Sequence, residues 1–149
     1  MIIRHGALVL VADGKKYLLL RNSGTLQQPT LVFDGGGEIG NPPTSAQGSD
    51  SPGRAFGMGP ASSAMAQTDF HQLAEDRFAA DIAAMLGRLA QAGDFGELVV
   101  VAPPKALAQL RDCFEGAVRG KIVAEVAKDL TKHPVGEIAA ILQREGETG

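Results

Sequence analysis

The stretch LVVVAPP, residues 98–104, decides the fold. A run of leucine, three valines and alanine cannot form a strand with one face in water, so the pattern predicts a strand that is covered on both faces. Such a strand lies near the middle of its sheet. Pro103 and Pro104 end the strand and begin a helix, because proline in the first helical turn loses no hydrogen bond.

Further strands are predicted on both sides of this central one. A hairpin precedes it, with Asp13-Gly14 as its turn, and the hairpin is followed by a weaker strand that Pro29 restricts to an edge of the sheet. After the central strand, apolar and polar residues alternate, which is typical of a strand nearer the edge. The predicted strands cover residues 7–12, 16–21, 26–33, 97–102 and 121–128.

Three segments have the spacing of helices. The longest apolar stripe predicts a helix from Asp69 to Gly93, and further helices follow Pro103 and Pro134. Three meandering strands followed by right-handed crossovers predict an α/β fold, with a single mixed five-stranded sheet of order 3-2-1-4-5, arranged as in ribonuclease-H-like proteins. The length of 149 residues predicts a single domain, 1–149.

Residues 34–67 are rich in Gly, Pro and Ser and are predicted to form a long flexible loop, because they hold too little apolar surface to offset the entropy of ordering. The spacing G-x-G-x-x-G occurs at 35–40, but Asn-Pro-Pro follows it, and no helix can begin there to meet a pyrophosphate. The segment therefore does not predict a dinucleotide site. Its candidate contact residues are Gly36, Gly37, Glu38 and Arg54.

Composition argues against several classes of protein. A formal net charge of -3 argues against a dedicated nucleic-acid binder, although it does not exclude a local basic patch. The single cysteine, Cys113, excludes an internal disulfide and a multi-cysteine zinc site. No apolar run reaches the roughly 20 residues that cross a bilayer, so we expect a cytoplasmic protein without a membrane partner. The histidines are scattered, and we expect no metal and no other cofactor.

Two polar positions are candidates for chemistry or binding. Asp13 ends the first strand, where ribonuclease-H-like nucleases carry a metal-binding carboxylate, and Glu75 or Asp81 could supply a second carboxylate from the helix. The segment 128–131, Lys-Asp-Leu-Thr, is either a binding edge or a strand exit in which Thr131 or His133 caps the helix that Pro134 begins. The candidate binding residues are Asp13, Arg54, Arg111, Lys128 and Asp129.

Four blocks of sequence resemble the bacterial host-attachment protein family, described as required for attachment to host cells. They are VLVADG at 9–14, DRFAADIA at 76–83, LVVVAPP at 98–104 with Leu110-Arg111, and KDLT at 128–131. The resemblance covers nearly the whole chain outside the predicted loop. That family is in turn similar to the middle domain of archaeal and eukaryotic peptide-chain release factors, which agrees with the predicted fold.

The resemblance implies a domain that works by binding. Release factors carry Gly-Gly-Gln in the loop before the long helix, where it promotes hydrolysis of peptidyl-tRNA; here the loop offers Gly36-Gly37-Glu38 and Gln67. We therefore expect a non-enzymatic protein that binds a macromolecular partner. The alternatives are an RNA- or ribosome-associated domain without peptide release and a metal-dependent nuclease that uses Asp13. The predicted edge strand at 121–128 also allows a homodimer.

Overall fold

A computed structural model describes residues 3–25, 27–39 and 64–148. The strands and helices follow one another in the predicted order. They are β1 (Leu8–Ala12), β2 (Lys16–Asn22), β3 (Leu31–Glu38), α1 (Ala64–Gln91), β4 (Leu98–Val101), α2 (Pro104–Cys113), α3 (Gly116–Arg119), β5 (Ile122–Val126) and α4 (Val135–Thr148).

The strands form one five-stranded sheet of order β3-β2-β1-β4-β5, which confirms the predicted α/β fold and strand order. β2 is antiparallel to both β1 and β3, whereas β4 is parallel to β1 and to β5. The hairpin and the crossovers therefore lie where the turn dipeptide and the proline pair predict them. The likeness to ribonuclease H stays a prediction.

Helices cover both faces of the central strands. Leu8 and Leu10 of β1 face a core shared with α1, α2 and α3, while Val9 and Val11 face a second core with Ile138 and Leu142 of α4. Every residue of β1 and of β4 is buried. Burial on both faces explains why the run at 98–102 is apolar at every position, as predicted.

The predicted loop 34–67 begins too early and ends too late. β3 continues through Gly35, Gly36 and Gly37 to Glu38, because β2 supplies a ladder of backbone hydrogen bonds that does not depend on side chains. α1 begins at Ala64, five residues before the predicted start. Residues 40–63, with the candidate Arg54, lie outside the described residues.

The predicted helix after Pro103 is in fact two helices. α2 ends at Cys113, and Phe114 takes an extended conformation with φ -67° and ψ 133°. Its side chain is buried in the core that α1 and α2 share. Burial of this ring favours the break over a continuous helix. Within the described ranges, no helix is long and apolar enough to cross a membrane.

Candidate functional site

The parallel strands bring polar residues to one edge of the sheet, which we call the carboxyl edge. Asp13 follows β1, Pro103 follows β4 and Asp129 follows β5, and the carboxyl ends of parallel strands meet at the same edge. α1 begins above this edge, since Glu75 lies beside Gly14. The residues of α1 that precede Glu75 extend the helix about 16 Å past the carboxyl edge.

Asp13, Thr131 and Asp129 form a hydrogen-bonded cluster at the carboxyl edge. Asp13 Oδ1 accepts the backbone N–H groups of Lys15 and Lys16, each at 2.7 Å. The Thr131 hydroxyl lies 2.9 Å from Asp13 Oδ2 and 3.0 Å from Asp129 Oδ1, and Thr131 is 2% exposed. One hydroxyl carries one proton, so it donates to the two carboxylates in turn. The cluster fixes the β1–β2 turn to the segment that follows β5.

A polar crevice of about 320 Å³ lies beside this cluster. Lys105 Nζ is 3.8 Å from Glu75 Oε1 and 3.1 Å from Gln72 Oε1. Asp76 accepts hydrogen bonds from Gln72 and Gln109. The residues that line the crevice are Asp13, Gly14, Lys15, Glu75, Pro103, Lys105, Ala106 and Gln109.

The structure brings Glu75 to Asp13 and separates Asp81 from it. Asp81 lines a different groove, on the far side of α1. Asp13 has its oxygens engaged by backbone N–H groups and by Thr131, which accounts for its position without a metal. Among the described residues, no group of three His, Cys, Asp or Glu side chains could hold a metal ion.

The lysines of the chain are concentrated at the carboxyl edge. Lys121, at the opposite end of β5, is the exception; the others are Lys15, Lys16, Lys105, Lys128 and Lys132. Within the described part of the chain, Lys15, Lys16 and Lys132 form no ion pair, while Lys128 pairs with Glu145. The nearby carboxylates of Asp13, Asp76 and Asp129 accept hydrogen bonds from within the protein. Three lysines of the edge therefore have no ion-pair partner among the described residues, while the carboxylates beside them keep their negative charge.

Arg111 does not join the carboxyl edge. It lies in the last turn of α2, where its Nε and Nη2 donate to Glu125 Oε1 of β5 at 2.8 and 2.5 Å. The hydrogen bond to Glu125 raises the pKa of Arg111. Arg119 donates to the Arg111 carbonyl at 2.7 Å. Arg111, Arg119 and Glu125 form a surface of their own, apart from Lys128 and Asp129.

The candidates Gly36, Gly37 and Glu38 lie in β3, and Gly37 and Glu38 line an apolar groove of about 370 Å³ between β3 and α1. Tyr17 forms part of the groove; its hydroxyl donates to Met85 Sδ at 3.6 Å, and its ring centroid lies 5.9 Å from that of Phe78. Burial raises the pKa of Tyr17. The place of Tyr17 in the groove could not be predicted, since a single tyrosine in a predicted hairpin carries no signal of a groove.

Comparison with protein families identifies the family of the chain. The model of the bacterial archaeo-eukaryotic release factor family 12 matches residues 6–142, which include the carboxyl edge, the groove and every strand of the sheet. A search of curated proteins gave no match. The predicted likeness to release factors is confirmed, whereas attachment to host cells stays a prediction. The chain belongs to the bacterial archaeo-eukaryotic release factor family 12.

Proposed function

We propose that this chain is a non-enzymatic release-factor-like domain that binds RNA, of the ribosome above all, through the carboxyl edge. One observation carries the proposal: apart from Lys121, the lysines follow the ends of three parallel strands. Binding of a macromolecular partner without catalysis is the function that the sequence predicts. RNA is the partner we choose, because clustered ammonium groups suit a phosphate backbone.

The cations of the edge are available to a partner. Lys15 and Lys132 are exposed, and neither forms an ion pair with a described residue. Asp13 and Asp129 keep their negative charge, but they accept hydrogen bonds from Thr131 and form no ion pair with a described lysine. A local cationic edge is compatible with the net charge of -3, since exposed charges more than about 10 Å apart are largely screened at physiological salt.

The position of Gly36-Gly37-Glu38 supports binding without peptide release. Release factors present Gly-Gly-Gln in a loop, whereas here the glycines pair with β2, Gly36 opposite Leu18 and Gly37 opposite Tyr17. Residues held in a strand ladder cannot reach into a reaction centre as a loop tip does. Glu38 also places a carboxylate where release factors carry a neutral amide. RNA phosphates would repel this carboxylate.

The first prediction concerns salt-dependent binding. Purified chain should sediment with ribosomes at about 50 mM salt, and binding should fall steeply towards about 200 mM. Lys15→Gln combined with Lys132→Gln should weaken binding by about tenfold or more and lower the slope of log K against log salt by about 1.5 to 2, because two phosphate contacts are lost. The control is Arg88→Gln, which removes one exposed cation from the last turn of α1, at the opposite end of the sheet, and should leave binding unchanged.

Three outcomes would contradict the proposal. Failure to sediment with ribosomes at low salt would exclude RNA as the partner. An equal loss in Arg88→Gln would show a general effect of charge and exclude the carboxyl edge as the surface. Hydrolysis of peptidyl-tRNA by the chain, followed as release of a labelled peptide, would exclude a non-enzymatic role.

A further inference from the structure

β5 leaves one side edge of the sheet open. β4 is its strand neighbour, and in the described part of the chain no strand pairs with its other edge. The β4–β5 register shifts between Leu98 and Val99, so Val123 has no partner on β4 and is 51% exposed. An edge with unpaired backbone groups and an exposed valine is a template for another strand.

The charges of β5 suit a second copy of the same strand. In an antiparallel pair with Val123 of both copies at the twofold axis, Lys121 of each copy lies opposite Glu125 of the other. Glu125 already accepts hydrogen bonds from Arg111, and a carboxylate has sites for a further donor. At the opposite edge of the sheet, β3 carries Asp34 and Glu38, so two copies of β3 would bring like charges together.

The surface beside β5 holds opposite charges that have no ion-pair partner within the described residues. A cleft of about 400 Å³ is lined by Arg111, Asp112, Phe114, Arg119, Ile122 and Glu125. Asp112 is exposed and forms no ion pair there, and Arg119 donates to a backbone carbonyl rather than to a carboxylate. Away from a twofold axis, residue i of one copy meets residue j of the other and j meets i, so Asp112 of one copy can meet Arg119 of its partner.

We propose that two copies of this chain pair along β5 as a symmetric antiparallel dimer, with the sheet continuous across both copies. Lys121–Glu125 and Asp112–Arg119 are the contacts that select a second copy of this chain. The dimer does not depend on RNA binding, because it uses the side edge of the sheet and leaves the carboxyl edge exposed. The two surfaces can therefore be tested separately.

Sedimentation equilibrium on the full chain tests the dimer. The wild type should sediment as a dimer, and Val123→Lys should raise its dissociation constant by at least about 100-fold, because the two introduced ammonium groups meet at the axis. Val32→Lys is the matched control. It places lysine at an exposed valine of β3, where the side chain is 44% exposed, and should leave the dimer intact. Circular dichroism should show native folding in both variants.

A charge exchange gives a second measurement. Arg119→Asp and Asp112→Arg should each weaken the dimer, and the chain that carries both substitutions should recover it, since the pair is restored with its signs reversed. A wild type that is monomeric at about 100 µM would overturn the proposal. Disruption by Val32→Lys with none by Val123→Lys would assign the interface to β3 and would also overturn it.

Discussion

At the scale of single residues, the absorbance of Tyr17 reports on the groove beside α1. It is the chain's one tyrosine and there is no tryptophan, so the phenolate absorbance reports this residue alone. Burial raises its pKa above the ordinary value of 10.0. An absorbance titration of the folded chain should therefore give a midpoint above that of the same chain in urea.

The raised pKa of Tyr17 makes the stability of the chain depend on pH. Because the unfolded chain releases the Tyr17 proton first, the stability that this group contributes is present below pH 10 and is lost as pH rises through the folded pKa. Tyr17→Phe, measured by urea unfolding over the same pH range, should remove that part of the loss. Identical midpoints in native buffer and in urea would contradict a buried phenol.

Asn22 has a structural role that cannot be predicted from the local sequence. Its position in Asn-Ser-Gly predicts a turn, yet the side chain is fully buried. The amide donates to the Ile3 carbonyl at 2.9 Å, and its oxygen accepts the N–H groups of Gly24 and Thr30 at 2.9 and 2.8 Å. A buried asparagine with these partners joins three separate segments of chain. Local sequence carries no sign of such partners, so this anchor could not be predicted.

At the scale of elements, β3 depends on glycine at Gly36. A Cβ at this position would lie 2.8 Å from the Tyr17 carbonyl oxygen, closer than real Cβ atoms come, and the neighbour is backbone and cannot rotate away. Gly36→Ala should therefore lower the free energy of unfolding by about 1 to 3 kcal/mol in urea titrations, the usual cost of overpacking.

A glycine in open surroundings serves as the control for this variant. Gly136 lies in the first turn of α4, and a Cβ there would meet nothing within 4 Å. Gly136→Ala should leave stability unchanged or raise it by up to about 1 kcal/mol, because alanine is the better helix former. If Gly36→Ala is no less stable than Gly136→Ala, the approach of β3 to β2 is not close.

Elements were predictable where the pattern is local. Every residue of β4 is apolar and two prolines follow the strand, while the hairpin has a specific turn dipeptide. Both were therefore placed correctly. The second half of β3 has glycine in place of β-branched residues. It forms because β2 offers backbone partners, which is tertiary information. The break at Phe114 likewise depends on burial of a ring in the shared core.

At the scale of the whole molecule, the candidate site is a product of topology. Sequence analysis named Asp13, Lys128 and Asp129 separately, and the predicted strand order already placed the ends of β1 and β5 at the same edge of the sheet. It did not place the lysines of several segments together, nor did it separate Arg111 from them. Those relations need the actual packing of α2 against β5, where Arg111 binds Glu125.

The hydrogen bond between Thr131 and Asp13 joins residues 118 positions apart in the chain and holds two segments of the carboxyl edge together. Thr131→Val keeps the shape of the buried side chain but removes the hydroxyl that Asp13 and Asp129 share as a hydrogen-bond donor. We expect a loss of about 1 to 3 kcal/mol in urea unfolding, together with faster amide hydrogen exchange over residues 128–134, because that segment is no longer fixed to β1. Thr131→Ser keeps the donor and should retain most of the stability. If Thr131→Val unfolds and exchanges as the wild type does, the hydroxyl does not hold the two ends of the chain together.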